Sequence, residues 1–186
     1  VRMINCPISG NDNSRPLFRL IIPRPPYPNV FSHIAMAPLG ALYVATAISM
    51  QGKWDVEVID ESNWKSGVSR RELAQDDTFD HKELQINRPA DAIGFYAGLT
   101  STVPRIFKLA ALYHAQDVRT IAGGAHVDAL PEEALNENID IVVHSEGEET
   151  ITEILDAWTS GTSISDIKGI SYLDSSGSMV STERRK

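Results

Sequence analysis

The chain has 186 residues, an apolar fraction of 42% and a formal net charge of −8, which together suit one globular domain, alone or with a small appendage. The negative charge argues against a nucleic-acid partner, because such a partner is met by a basic face. The single cysteine, Cys6, argues against an internal disulfide, a structural zinc site or an iron–sulfur cluster in this chain, since each needs several ligands.

The N-terminal segment predicts neither a leader peptide nor a membrane anchor. Residues 1–16 are polar and lack the apolar core of a signal peptide. No apolar run approaches the ~20 residues that span a bilayer. We therefore expect a cytoplasmic protein with no membrane partner, in which residues 1–16 form an extension before the folded domain.

The first third of the chain predicts two strands with a helix between them. Leu17–Ile22 is an apolar run closed by prolines, which is typical of a buried strand followed by a loop. Pro38 suits the first turn of a helix, and the apolar residues in 39–50 cover so broad a face that we expect this helix to be largely buried. Gly52 is placed to end it, and the alternating Asp55–Asp60 predicts the second strand.

The rest of the chain continues the alternation of strands and helices. Residues 62–90 are polar and predict only one short or irregular helix, ended by Pro89. Apolar runs predict three more strands, at 92–96, 119–122 and 139–143. Apolar residues at helical spacing predict helices in 106–113 and 148–158, and a short helix opens at Pro131.

Five strands alternating with helices predict an α/β fold, a doubly wound Rossmann-like (flavodoxin-like) domain with a five-stranded parallel sheet and right-handed crossovers. The C-terminal part differs, because residues 169–173 and 178–181 flank a polar turn and predict a β-hairpin. We expect the main domain over residues 17–164, with the hairpin and a linker over 165–186.

Ligands of such sheets bind beyond the carboxyl ends of the strands, where the loops 23–37, 97–103, 123–131 and 144–149 meet. Gly123 and Gly124 directly follow a strand and either admit a ligand close to the backbone or only form a tight turn. Hydroxyl residues at 100–102 offer ligand groups or plain helix caps. Residues 145–149 place carboxylates at a helix start, where capping is again the alternative.

No histidine pair has a metal-binding spacing such as H-x-x-x-H, and His126 is singled out only because it follows the two glycines. The chain lacks a G-x-S-x-G elbow, a P-loop and a G-x-G-x-x-G fingerprint. The sequence therefore singles out no nucleophile–base pair and no metal ligand.

The order of these segments resembles the N-terminal cobalamin (B12)-binding domain of B12-dependent radical SAM enzymes, over about residues 17–183. The segments that carry the resemblance are APLGALY at 37–43, VEVID at 56–60, DAIG at 91–94, AGGAH at 122–126, LPEEAL at 130–135, HSEGEET at 144–150 and IKGISY at 167–172. The resemblance implies a cobalamin-binding domain that does no chemistry alone.

The resemblance further implies a longer parent enzyme of the methyltransferase class, or one with related radical tailoring chemistry. A downstream radical SAM domain would be the partner in the same chain, and would hold a C-x-x-x-C-x-x-C motif, a [4Fe-4S] cluster and S-adenosylmethionine. The parent's substrate would be a small molecule or a peptide. The residues that would contact cobalamin are Pro25, Tyr96, Gly98, Thr100, Ser101, Thr102, Gly123, Gly124, His126, Ser145, Glu146, Gly147 and Glu148.

Two departures from related cobalamin domains keep alternatives open. The Asp-x-His-x-x-Gly loop that supplies a cobalt ligand elsewhere is absent, since Ile34-Ala35-Met36 follows His33. Tyr96 stands where others have the serine of a Ser-x-Leu motif, and its ring would crowd the pocket for the nucleotide tail. The alternatives are a degenerate domain without cofactor that serves packing or substrate recognition, and a flavodoxin-like module for a nucleotide or flavin.

Overall fold

The computed structural model describes residues 15–25, 38–61 and 80–185. Seven strands in these residues form one sheet of order β2-β1-β3-β4-β5-β6-β7. The strands are β1 (Leu17–Ile22), β2 (Asp55–Asp60), β3 (Ala92–Tyr96), β4 (Arg119–Gly123), β5 (Ile141–Val143), β6 (Ile170–Leu173) and β7 (Met179–Ser181). The first five are parallel, whereas β6 and β7 run antiparallel.

The helices cover both faces of this sheet. They are α1 (Leu39–Gln51), α2 (His81–Asn87), α3 (Val103–His114), α4 (Ala125–Ala129), α5 (Pro131–Asn136) and α6 (Glu148–Ser160). Apolar residues of α1 and α6 pack on one face, and those of α2 to α5 pack on the other. This arrangement confirms the predicted doubly wound α/β fold.

The predicted C-terminal hairpin is present, and it joins the sheet as its last two strands. β6 pairs with β5 in antiparallel register, with Val142 opposite Ser171. An unpaired edge strand exposes backbone N–H and C=O groups, and β6 covers that edge of the parallel sheet. The fifth strand is also shorter than predicted, because Asn138 has a φ of 65° and the chain turns there.

The prediction that α1 is largely buried is wrong. Leu39, Tyr43 and Met50 have exposed fractions of 60%, 63% and 83%. The buried side chains of α1 are those of two alanines and one isoleucine, namely Ala41, Ala45 and Ile48. A helix in the outer layer of a doubly wound fold packs one face on the sheet, so a second apolar face remains outside. Gly52 ends the helix as predicted, in the left-handed conformation with a φ of 67°.

The polar middle of the chain contains α2, which ends before Pro89, and residues 62–79 of that segment lie outside the described part. Asp80 caps α2, since its side chain accepts hydrogen bonds from the backbone of Lys82 and Glu83. Arg19 of β1 is fully buried and holds α2 to the sheet, because its Nη1 donates to the Oε1 of Gln85 at 2.8 Å. None of the helices within the described ranges is both long and apolar enough to cross a membrane.

Candidate functional site

A cleft opens at the carboxyl ends of β3, β4 and β5, on the face of the sheet that carries α1 and α6. Its volume is about 630 Å³, including the open space at its mouth. The sheet forms its floor, α1 forms one wall, and the segment that leads into α6 forms the other. The position is the one that a doubly wound sheet dictates, because strand ends and helix starts diverge there.

The floor of the cleft has no side chain at Gly123, so the space above this residue is open. It lies between Tyr96 of β3 and Val143 of β5 in the sheet register. A methyl group added at Gly123 would lie 3.8 Å from the Cβ of Val143, which is ordinary contact. Gly94, one row below, differs, because an added methyl group would lie 2.5 Å from the Cζ of Phe18. The free space is therefore above Gly123 and not above Gly94.

Gly124 also lines the cleft, but its conformation has a separate structural reason. It has a φ of 128°, and an added Cβ would lie 2.6 Å from the carbonyl carbon of Ala97. The neighbouring backbone is joined here, since Ala97 N donates to Gly123 O at 2.7 Å and His126 N donates to Ala97 O at 3.2 Å. Gly124 therefore makes the tight turn that was one of the two alternatives for this pair, and Gly123 leaves the floor open, while contact of either glycine with a ligand stays a prediction.

The walls of the cleft come closest at Gly147. A methyl group added there would lie 3.5 Å from the Cγ2 of Val44 on α1 and 3.5 Å from the Cγ1 of Val143. Gly147 is the N-cap residue of α6, and no side chain caps that helix. The capping alternative for Ser145 is therefore not what the structure has. Glu148 opens the helix, where the dipole stabilises its carboxylate.

The mouth of the cleft is polar and negative. Ser145 and Glu146 are exposed there, and Glu148 is half-buried. Ser145 has a φ of 56°, a left-handed conformation that is uncommon outside glycine. We call residues 145–148 the lip. Together with Tyr96, Gly123 and Gly124, the lip is the part of the predicted site that the structure brings into one cleft.

Tyr96 forms one end of the cleft. A methyl group added at Gly98 would lie 2.8 Å from the Cε1, Cζ and hydroxyl oxygen of its ring, so only glycine leaves room for the ring there. On the other side, a methyl group added at Gly40 of α1 would lie 3.6 Å from Cε2 of the ring. The ring thus spans the space between the 97–98 backbone and α1, and the cleft remains open beside it.

The remaining predicted residues form a second group outside the lining of the cleft. His126 Nδ1 lies 3.2 Å from Thr100 Oγ1, and His126 Nε2 lies 3.1 Å from Glu133 Oε2. Thr102 Oγ1 donates to Leu99 O at 2.8 Å, within the short turn at Thr100–Thr102, and Thr102 makes no side-chain cap bond to the helix that follows. Ligand contact by Thr100, Ser101, Thr102, Gly98, His126 and Pro25 stays a prediction, and residues 26–37 of the first loop lie outside the described part.

Sequence reasoning missed a buried charged cluster at the carboxyl end of β2. Glu61 accepts hydrogen bonds from Arg105 Nη2 at 2.7 Å, His81 Nε2 at 3.0 Å and Arg24 N at 3.0 Å. Burial alone would raise the pKa of Glu61, but the bonds from His81 and Arg105 and the charge of Arg105 outweigh burial and lower the pKa from 4.5 to about 2. The partners come from α2 and α3, so no local pattern marks them.

The family model for the B12 binding domain matches residues 34–155. The chain belongs to the B12 binding domain family. This confirms the family that the sequence resembles, and with it the cofactor class, cobalamin. In this B12 binding domain every lining residue of the cleft except Leu20 falls inside the matched range.

Similar proteins include one curated relative and two solved structures. An uncharacterized methyltransferase, PH0819, of Pyrococcus horikoshii is 32% identical over 140 residues, which are 73% of this chain and 28% of that protein. The cobalamin-dependent S-adenosylmethionine radical enzyme OxsB, with aqua-cobalamin bound, has a TM-score of 0.68 at 18% identity, covering 92% of this chain and 23% of OxsB.

The second structure is the radical S-adenosylmethionine methyltransferase TsrM from Kitasatospora setae, with cobalamin and a [4Fe-4S] cluster bound. Its TM-score is 0.71 at 20% identity, covering 93% of this chain and 29% of TsrM. At these identities the likeness to both structures shows the fold alone. This B12 binding domain spans less than a third of the length of each of the three proteins.

Proposed function

We propose that this chain is the cobalamin-binding module of a radical SAM enzyme, and that the cleft between α1 and α6 holds the nucleotide tail of cobalamin. The observation that carries the proposal is the open floor at Gly123, where a planar group can lie on the sheet without meeting a side chain. The cleft lies at the carboxyl ends of the parallel strands, which is where sheets of this kind bind their ligands.

The chemistry of the cleft supports this choice of ligand. Val143, Ile121 and Val44 supply apolar surface around the open floor. Glu146 and Glu148 at the mouth accept hydrogen bonds, which suits the amide and hydroxyl donors of a corrinoid. The same two carboxylates repel a diphosphate more strongly than the single phosphodiester of a cobalamin tail, so they disfavour a flavin or nucleotide module with its phosphates at this helix start.

When bound, cobalamin supplies the cobalt that carries the transferred methyl group. The residues of this chain bind and orient the cofactor, and the apolar walls exclude water from the tail. We propose that a radical SAM domain in the same polypeptide holds the [4Fe-4S] cluster and S-adenosylmethionine, and that the parent is a methyltransferase acting on a small molecule or a peptide. The named methyltransferases PH0819 and TsrM support this class.

Cobalamin retention tests the proposal directly. The purified chain is mixed with hydroxocobalamin and desalted, and its visible spectrum is recorded over a range of protein concentrations. We expect corrin absorbance to stay with the protein. In Gly123→Val the added side chain fills the floor, and we expect retention to fall at least about tenfold, since ~1.4 kcal/mol of lost contact suffices.

The matched control is Ala111→Val, which adds a comparable side chain on an exposed position of α3, on the opposite face of the sheet. It should retain cobalamin as the unmodified chain does. Equal retention in Gly123→Val and the control, with both folded by circular dichroism, would place the cofactor elsewhere. A colourless unmodified chain at every concentration would contradict cobalamin binding by this chain.

The parent enzyme is tested by a second, independent observation. The coding sequence that continues past Lys186 should encode C-x-x-x-C-x-x-C within the next domain. Absence of that motif from the parent polypeptide would contradict a radical SAM partner in the same chain and leave the cobalamin proposal standing.

A domain that has lost its cofactor is the second candidate, and Tyr96 is the observation that favours it. The ring takes up space at one end of the cleft, against Gly40 and Gly98. Tyr96→Ala enlarges the cleft by most of an aromatic ring. A colourless unmodified chain together with a coloured Tyr96→Ala variant would identify the ring as the block and favour this second function.

A further inference from the structure

His144 lies directly after β5 and is almost fully buried, with an exposed fraction of 4%. Its Nδ1 lies 2.6 Å from Asp128 Oδ1 on α4, and its Nε2 lies 2.7 Å from Ser171 Oγ on β6. Burial would raise the pKa of Asp128, but hydrogen bonds from His144 and Arg184 outweigh burial and lower that pKa. An ionised carboxylate only accepts hydrogen bonds, so Nδ1 donates to Asp128, and Nε2 forms the second hydrogen bond, with the Ser171 hydroxyl.

The residue types match a Ser-His-Asp catalytic triad, but the geometry is that of a structural network. Ser171 is fully buried. Its Oγ also lies 2.7 Å from Ser181 Oγ on the neighbouring strand, so a substrate carbonyl has no approach to it. His144 therefore holds elements together and activates no nucleophile.

The element that His144 holds is the start of the lip. The backbone N–H of His144 donates to Gly169 O at 2.9 Å, and its ring is fixed at both nitrogens. The next residue is Ser145, whose φ of 56° is left-handed. A non-glycine residue keeps such a conformation only where its surroundings fix it, and the anchored residue beside Ser145 supplies that restraint.

We propose that His144 is a positioning residue of the cleft, which holds the lip in its ligand-binding geometry from the opposite face of the sheet. The inference rests on the proposed function, because the lip matters only if the cleft binds a ligand. His144 does not line the cleft, and the sequence around Gly123 does not point to it.

Three variants separate the two arms of the network. His144→Leu removes both hydrogen bonds. His144→Asn keeps an amide nitrogen near the position of Nδ1 and can still bond Asp128, whereas His144→Gln keeps one near the position of Nε2 and can still bond Ser171. The control is Asp140→Asn, which removes the charged acceptor from a part-buried network with Thr120 at the amino end of β5, far from the lip.

Two measurements are made on each variant: the dissociation constant for hydroxocobalamin by visible absorbance, and the backbone chemical shifts of Ser145 in the ligand-free protein by NMR. For His144→Leu we expect binding about tenfold weaker, the factor that ~1.4 kcal/mol of lost restraint gives, and Ser145 shifts that leave the left-handed range. His144→Asn or His144→Gln should recover part of both. Asp140→Asn should lose stability and keep its affinity.

The outcomes separate the inference from the function on which it rests. If the unmodified chain binds cobalamin and His144→Leu binds it equally well, the inference is overturned and the function stands. If the unmodified chain binds no cobalamin, the function fails, and unchanged Ser145 shifts in His144→Leu overturn the inference as well. If His144→Leu does not fold, the Asn and Gln variants decide, because unaltered affinity and shifts in both would exclude a positioning role.

Discussion

Gly123 and Gly124 are adjacent and chemically identical, yet the fold uses them differently. Gly123 has a backbone that any residue can adopt and open space where a side chain would point. Gly124 has a φ of 128° and sits against the backbone of Ala97. The fold therefore needs glycine at position 124, and the proposed ligand site needs it at position 123.

This difference predicts that substitution by alanine destabilises the protein much more at Gly124 than at Gly123. Gly124→Ala should lower the free energy of unfolding by about 2 kcal/mol or more, because the methyl group overlaps a backbone that cannot move aside and the φ is unfavourable. Gly123→Ala should change it by less than about 1 kcal/mol, since the added contacts are ordinary. Urea unfolding followed by circular dichroism measures both. Similar midpoints for the two variants would mean that the turn at Gly124 is less tightly packed than described.

At the scale of single elements, the strands were predictable from the sequence, but the side chains that face the cleft were not. Apolar runs mark β1, β3, β4 and β5 because burial on both sides of a parallel sheet requires continuous apolar residues, whereas alternating residues mark β2 at the edge of the sheet. They do not tell which residue at a strand end points into a cleft, since that depends on register across β3, β4 and β5. Gly123 could therefore be named as a site residue but not assigned to the α1 face.

Contacts between distant elements explain what else the sequence did not reveal. His144 meets partners 16 and 27 residues away, on α4 and β6. Glu61 meets Arg105 from 44 residues away. Such pairs produce no periodic pattern in the sequence, so a polar residue at the end of a strand is interpreted as part of a surface turn. His126 was a candidate because it follows Gly124 in sequence; it lies outside the lining of the cleft, and its contact with a ligand stays a prediction.

Helix α1 gives a prediction at this same scale. Its outer face is apolar but exposed, so Tyr43→Gln and Met50→Gln should each change the free energy of unfolding by no more than about 0.5 kcal/mol. Ile48→Ala, on the inner face, should lower it by ~2–4 kcal/mol because it leaves a cavity against the sheet. Urea unfolding of the three variants checks this. A loss above ~1 kcal/mol in Met50→Gln would show that its side chain is covered.

At the scale of the whole molecule, two carboxylates join the outer elements to the sheet at both ends of its carboxyl edge. The Glu61 cluster ties α2 and α3 to the end of β2, through His81 and Arg105. At the other end, Asp128 of α4 binds both His144 and Arg184. The C-terminal segment and the lip are thus connected through one carboxylate, and both clusters depend on a carboxylate that stays ionised.

The dependence on ionised carboxylates predicts how the domain responds to acid. The pKa of Glu61 is about 2 in the folded protein against 4.5 ordinarily. A folded pKa below the unfolded one means that the unfolded chain binds the proton first. The stabilisation is therefore complete above about pH 4.5 and is lost as the pH falls from there toward 2. Its size is roughly 3 kcal/mol, since each pKa unit corresponds to about 1.4 kcal/mol.

Urea unfolding at pH 7, 4 and 2.5 tests this account in the unmodified chain and in Glu61→Gln. The variant should be less stable at pH 7, because the glutamine leaves the charge of Arg105 uncompensated in a buried position. The gap between the two proteins should narrow as the pH falls, because protonation removes the same charge from the unmodified chain. Glu137→Gln, at an exposed position, controls for the loss of one carboxylate and should follow the unmodified chain at every pH. A gap that stays constant from pH 7 to 2.5 would mean that Glu61 does not carry the acid sensitivity, and would leave Asp128, whose pKa is also lowered, as the group to test next.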